Sequence, residues 1–170
     1  MMNSLRLARL SDISQIMDVV QDAQDFMKNQ NSGQWQDGTP SIATIAEDSM
    51  HDRFYVWEEE GNVIGIIALL DYDKDYDKLV SGQWRFPAPY LAIHRFAVKS
   101  KYHSQGIATK MLQAVERIAK ERNVKTIRVD THKNNFPMIN LLIKNGFAEC
   151  GEALIEGIKP RITFDKSLLV

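Results

Sequence analysis

The stretch Phe96-Ala97-Val98-Lys99-Ser100-Lys101-Tyr102-His103-Ser104-Gln105-Gly106-Ile107-Ala108-Thr109-Lys110-Met111-Leu112 decides how this chain is read. Residues 90–98 are rich in aromatic and β-branched side chains and predict a strand. A polar turn follows. From Gly106 onward Ala108, Met111, Leu112, Val115, Ile118 and Ala119 recur at helical spacing, with Lys110, Gln113, Glu116, Arg117 and Lys120 on the opposite face. A helix that opens at a glycine after a strand offers amides without an intrahelical partner, together with the positive end of the helix dipole. A pyrophosphate can dock there without a net basic protein. Small residues at Gly106 and Ala108 let phosphate approach the backbone. Neither a Walker A loop nor a GxGxxG fingerprint is present, so the segment alone does not name its ligand.

Outward from this stretch, residues 126–131 predict a further strand, and a helix begins near Asn134-Asn135-Phe136-Pro137 and stops at Gly146 after Lys144. Closing strands run from Phe147 onward and include residues 161–164. Strand, helix, strand, helix, strand predicts parallel pairing with right-handed crossovers. On the N-terminal side, Leu5 and Leu7 suggest a short strand. Ser11 or Asp12 then caps a helix with Ile13, Ile16, Met17, Val20 and Met27 on one face. Residues 29–40 form a polar loop carrying Trp35, and Ile42, Ile45 and Met50 mark a second helix. Residues 54–57 and 63–70 predict an antiparallel pair with Gly61-Asn62 at its turn. In residues 71–86, Asp71, Asp73, Asp75 and Asp77 alternate with Tyr72, Lys74, Tyr76 and Lys78, which predicts a solvated loop. The Gly and closing Glu of a calcium loop are missing.

Composition bounds the function. The 170 residues suit one domain, with a core supplied by 44% hydrophobic residues. A formal net charge of −1 argues against nucleic acid or an anionic membrane as partner. The single Cys150 closes no intrachain disulfide, residues 1–6 lack a secretory apolar core, and no apolar run approaches bilayer length. The expectation is therefore a cytoplasmic protein. His94, His103, His132 and Cys150 lack metal-ligand spacing, and no metal is expected. Oligomeric state is open.

The segment His103-Ser104-Gln105-Gly106-Ile107-Ala108, followed by Asn135 and later Lys144-Asn145-Gly146-Phe147, resembles the GNAT superfamily of acyl-CoA-dependent N-acetyltransferases. The likeness extends over nearly the whole chain. It implies one domain over residues 1–170. The implied fold is a mixed α/β one, with a central, mostly antiparallel sheet of six to seven strands flanked by about four helices. It also implies acetyl-CoA as cosubstrate. Phe96, Ala97 and Val98 would run along the pantetheine, chiefly through the backbones of Phe96 and Val98. Amides of His103, Ser104, Gln105, Gly106, Ile107 and Ala108 would hold the pyrophosphate with help from Thr109, and Asn135 would touch the pantetheine arm. Two positions depart from the family pattern: His103 stands where Gln or Arg is usual, and Leu142 where many members carry a tyrosine acid.

The reaction so implied is direct attack of a neutral amine on a thioester, for which a general base is useful because alkylamines are mostly protonated at neutral pH. Asp130, at the C-terminal end of a strand, and His94 are the candidates. The rival reading of Asp130 is an ion pair with Arg95 or Arg128. His94 shares strand parity with Phe96 and Val98. Trp35, Trp84, Tyr90 and His132 are candidates for the acceptor pocket, each with a plain structural role as the alternative, and Cys150 reads as a small buried hydrophobe. The acceptor expected is a primary amine on a small molecule. The alternatives are a protein or peptide N-acetyltransferase and a non-catalytic acyl-CoA sensor.

Overall fold

Backbone hydrogen bonding joins eight strands in the order β1-β2-β3-β5-β6-β8-β7-β4 in a computed structural model that describes residues 4–169. The strands are β1 (Ser4–Leu7), β2 (Phe54–Glu59), β3 (Asn62–Leu70), β4 (Ser81–Gly82), β5 (Leu91–Val98), β6 (Thr126–Thr131), β7 (Ala148–Ile155) and β8 (Lys159–Ser167). The helices are α1 (Ile13–Asn29), α2 (Ile42–Met50), α3 (Ile107–Glu121) and α4 (Phe136–Lys144). The mixed, mostly antiparallel sheet and four helices match expectation. The two-residue β4, too short to leave a period-2 signature, raises the strand count to eight. The chain forms two compact units. One runs to Leu69 and continues through Arg95–Ala114, and the other takes Leu70–His94 and everything from Val115.

In the first unit β1 pairs antiparallel with β2, and β2 with β3. Glu59 opposes Asn62, so the hairpin turn is Glu60-Gly61, one residue earlier than predicted. Both turn residues have positive φ, 50° and 81°, as a turn matching the strand twist requires. Helix α1 buries Ile16, Val19, Val20 and Ala23 against Phe54, Val56, Val63, Ile66 and Ala68, with Ile45 of α2 and Ala97 of β5 completing the cluster. Ile13 and Met17 are only partly buried, so the buried stripe lies further round α1 than the sequence suggested. Gly65 lets α3 approach β3, since a Cβ there would stand 2.8 Å from Met111 Sδ. Arg95 sits within β5 at φ 51°, and its guanidinium lies 3.3 Å from the buried Asp48, which also pairs with Arg53.

In the second unit β5 pairs in parallel with β6 at Leu91, Ala92 and Ile93. The second crossover, through α4, does not place β7 beside β6, because the hairpin partner β8 lies between them, antiparallel to both. Nothing in residue pattern distinguishes which strand of a hairpin takes the inner position.

The segment between β3 and β5 is not a solvated loop. Tyr76 within it is completely buried and packs with Tyr90 and Ala92, with Leu70, Trp84 and Ile155 against them. Its far end is tied to β8. The buried Asp165 accepts hydrogen bonds from Arg85 N (2.9 Å), Phe86 N (3.0 Å) and Arg85 Nε (2.7 Å). Removing that carboxylate leaves two amides and a guanidinium without their acceptor. Asp165→Ala is therefore expected to lower stability by about 3–5 kcal/mol in denaturant titration. A loss under about 1 kcal/mol would mean that the segment is held by its aromatic residues instead.

Candidate functional site

In the first unit, the backbone leaves β5 through a tight turn over Ser100–Tyr102 that α1 holds in place. Asp22 accepts from Ser100 N (2.7 Å) and Ser100 Oγ (2.8 Å). His103 closes the turn. Its N–H donates to Ser100 O (3.0 Å), its Nε2 donates to Val98 O (2.8 Å), and its ring meets Phe26 edge-on at 4.9 Å. Val98 O already accepts from this ring. The departure from Gln or Arg at His103 is thus accounted for: the ring and amide both anchor the loop, and the stretch presented to a phosphate begins at Ser104.

Ser104 and Gly106 have positive φ, 64° and 79°, and Lys110 N donates to Gly106 O (3.0 Å) in the first turn of α3. The amides of Gly106, Ile107 and Ala108 precede that bond, where helical amides lack an intrahelical acceptor. Apart from its own chain neighbours, no atom of the described residues lies within 4 Å of where a Cβ on Gly106 would be. An alternating backbone of this kind at a helix start forms a concavity suited to an anion, and the open space at Gly106 fits a pyrophosphate.

The second unit gathers the ionisable groups. The Tyr76 hydroxyl donates to Asp130 Oδ1, and Asp130 Oδ2 faces Arg161 Nε at 3.9 Å. The Tyr76 ring stacks on His94 with centroids 5.8 Å apart, and His94 Nε2 lies 2.9 Å from Asp73 Oδ2. Asp73 is itself fixed, because its other oxygen accepts from Asp75 N (2.9 Å) and its N–H donates to Tyr90 Oη (2.8 Å). Trp84 Nε1 donates to Tyr76 O (2.9 Å). Arg128 lies between the rings of Trp84 and Tyr90, 4.4 and 4.3 Å from their centroids, and donates to Phe86 O.

Burial pushes the Asp130 carboxyl above the usual carboxylate range, against the opposing pull of His94, the Tyr76 hydrogen bond and Arg161. The Tyr76 phenol is held far above its ordinary value, first by burial and then by the Asp130 charge. It is a fixed donor at any physiological pH. Burial also raises Tyr90 and lowers Arg128. His132 is lowered by burial, with Arg161 and Lys133 adding to the effect.

These contacts correct one expectation. Asp130 pairs with neither Arg95 nor Arg128. Arg95 goes to Asp48 and Arg128 to the aromatic pair, while Tyr76 and Arg161 take the position at Asp130. Between His94 and Phe96, Arg95 has a left-handed backbone at φ 51° within β5. Trp35 packs against the hydrophobic cluster of the first unit, whereas Trp84 and Tyr90 adjoin Tyr76 in the second.

Asn135 is buried and caps α4, accepting from Met138 N (3.3 Å). Leu142 is fully buried in α4. Cys150 is half-buried, with its thiol pushed up by burial, which suits a structural residue and not a nucleophile. Among the described residues no cluster of His, Cys, Asp and Glu has a geometry suited to a metal ion, and no helix is long and apolar enough to cross a membrane. Sequence reading missed Tyr76, Asp73 and Arg161. Tyr76 and Asp73 lie in the alternating Asp/Tyr/Lys stretch, where spacing alone did not separate them from their exposed neighbours.

The acetyltransferase (GNAT) family profile matches residues 18–147. A GNAT-family acetyltransferase of Streptococcus agalactiae 2603 superposes with a TM-score of 0.87 at 29% identity, over 96% of this chain and 94% of that one. An acetyltransferase of the GNAT family from Listeria monocytogenes 4b F2365 gives a TM-score of 0.74 at 20% identity, over 98% and 95%. The PaiA N-acetyltransferase of Thermoplasma acidophilum, solved in complex with coenzyme A, gives 0.74 at 16% identity, over 98% and 99%. No curated protein matches the sequence significantly.

Proposed function

The chain belongs to the acetyltransferase (GNAT) family, and we propose that it is an acetyl-CoA-dependent N-acetyltransferase of the cytoplasm, acting as one domain over residues 1–170 on the primary amine of a small molecule. The observation that carries this reading is Asp130. It is a mostly buried carboxylate with a raised pKa, oriented by a tyrosine hydroxyl beside the His94–Asp73 pair.

When bound, acetyl-CoA supplies the thioester carbonyl that an amine attacks. The amides of Ser104, Gln105, Gly106, Ile107 and Ala108, with Thr109, hold its pyrophosphate, and Phe96, Ala97, Val98 and Asn135 hold its pantetheine arm. Asp130 takes the proton that an alkylammonium must lose before its nitrogen can attack. A carboxyl raised above its ordinary value is a stronger base for that step, and Tyr76 keeps its free oxygen in one orientation. His94, with Nε2 directed at Asp73, is the second proton-accepting group of the cluster. The buried Leu142 offers no acid to the departing sulfur. A thiol of pKa about 8.5 leaves tolerably well as the thiolate, so turnover proceeds without one. Tyr76, Trp84 and Tyr90 give the cluster aromatic surroundings suited to a compact acceptor.

The test is acetyl-CoA turnover, followed by release of free thiol, across a panel of small amines and N-terminal peptides. Turnover with a small amine supports the reading, and turnover with peptides alone transfers the chain to the protein-modifying class. CoA binding without turnover on any acceptor makes it a sensor. Independently, CoA at 100 times its dissociation constant is expected to add about 2.7 kcal/mol of stability, read as a rise in melting temperature. No shift with an intact fold would remove CoA as the ligand.

A further inference from the structure

Arg161 and Asp130 are an incomplete ion pair. Asp130 opposes Thr163 across β6 and β8, and Arg161, two residues along β8, lies on the same face of the sheet. Their side chains are only 15% and 10% exposed, yet Arg161 Nε and Asp130 Oδ2 stand 3.9 Å apart, beyond hydrogen-bond reach. Asp130's other oxygen is held by Tyr76, and one guanidinium donor, on Nη1, goes to Pro160 O. A mostly buried carboxylate and guanidinium so spaced each keep capacity for a third group between or above them.

We propose that the acceptor is a free α-amino acid, its ammonium donating to Asp130 Oδ2 and its carboxylate accepting from the Arg161 guanidinium. This rests on the N-acetyltransferase reading above. An α-amino acid carries its two charged groups on one carbon, which suits opposite charges a few ångströms apart on one sheet face. The planar guanidinium is also the side chain best shaped for a carboxylate. A simple amine satisfies Asp130 and leaves Arg161 without a hydrogen-bonded anion. In the reaction the ammonium gives one proton to Asp130. The nitrogen then bonds to the acetyl carbon as the carbon–sulfur bond breaks, and the second nitrogen proton is released as the amide forms and is available to the departing thiolate. The products are an N-acetyl amino acid and CoA.

The test compares the twenty standard L-amino acids as acceptors, with leucine, phenylalanine and lysine each set against its decarboxylated counterpart: isopentylamine, phenethylamine and cadaverine. Parent and Arg161→Gln are assayed side by side, with melting temperature confirming the fold. The expected result is a kcat/KM for an amino acid roughly 10–100-fold above that of its amine, the worth of a charge-assisted hydrogen bond. That ratio collapses to within a few-fold in Arg161→Gln. If the parent prefers the amine or shows no preference, or if the variant keeps the parent's ratio, the inference is wrong while the N-acetyltransferase reading stands. If nothing turns over, calorimetry with the same amino acids decides. Binding lost in Arg161→Gln keeps the site and discards the enzymatic reading, whereas no binding at all overturns the inference. Should the Gln variant not fold, Arg161→Lys retains the charge but loses the fork, and an unchanged amino-acid preference there also overturns it.

Discussion

Asp130→Asn is expected to lower turnover by roughly 10²–10⁴-fold with CoA affinity little changed, because it removes the proton acceptor while keeping the shape and the oxygen that receives the Tyr76 hydrogen bond. The pH dependence gives the sharper reading. In the parent, kcat/KM should rise with pH through a limb set by Asp130, displaced above the ordinary carboxylate range because burial disfavours its charge. The variant should lack that limb. Stability separates this from a structural role. A carboxyl whose folded pKa lies above its unfolded value binds more protons when folded, so its contribution to stability declines as pH rises through the folded pKa. Wherever Asp130 is ionised it therefore burdens the fold, and the neutral Asn relieves that burden even though Arg161, 3.9 Å away, loses an opposite charge. The melting temperature of Asp130→Asn should match or exceed the parent's at pH 7. A loss of several kcal/mol, with activity following the folded fraction, would make Asp130 a structural counter-ion of Arg161. His94→Gln serves as the companion: if His94 and not Asp130 is the base, the acidic limb disappears in that variant and survives in Asp130→Asn.

Much of the frame was legible because local patterns and global fold agree. Strand β6 runs over residues 126–131 as its side chains suggest, and α3 buries Met111, Leu112, Val115 and Ala119 from the stripe set out by their spacing. The cluster around Asp130 was less legible because its geometry comes from contacts distant in sequence. Tyr72 and Tyr76 occupy equivalent places in the same alternation, yet Tyr72 is 57% exposed and Tyr76 fully buried. The difference arises at the short helical turn Lys74–Tyr76, which breaks the alternation and brings the phenol to Asp130, 54 residues away. The left-handed backbone at Arg95 was illegible for a related reason. Arg95 adopts a positive φ, which a non-glycine residue accepts only where its surroundings impose it, and the Asp48 partner that holds Arg95 lies in α2. Arg161 was visible as a charge but not as a neighbour of Asp130, since that depends on β8, and not β7, lying beside β6.

Gly106→Trp is expected to weaken CoA binding by about 10²–10⁴-fold, as the loss of two or more charge-assisted hydrogen bonds to a pyrophosphate implies. The structure separates this from simple misfolding. The space in front of Gly106 is open, so the indole meets no protein atom at its first carbon. What the fold does bear is the backbone: at φ +79° any L side chain is strained, by roughly 1–2 kcal/mol. Gly106→Ala carries the same strain with a single methyl group, and it measures that cost alone. Both variants should lose similar stability in the absence of ligand, and the Trp variant should lose far more of the affinity for CoA measured by calorimetry. The cluster of Tyr76, Asp130 and His94 gives an internal check, because it belongs to the unit that does not contain Gly106. If the Trp variant folds and binds CoA as the parent does, the pyrophosphate does not lie on the amides that open α3, and the anion-binding role assigned to the backbone from Ser104 to Ala108 is wrong. If the Ala variant loses as much affinity as the Trp variant, backbone conformation and not bulk governs the site, which would place the phosphate contact on the left-handed geometry of the loop.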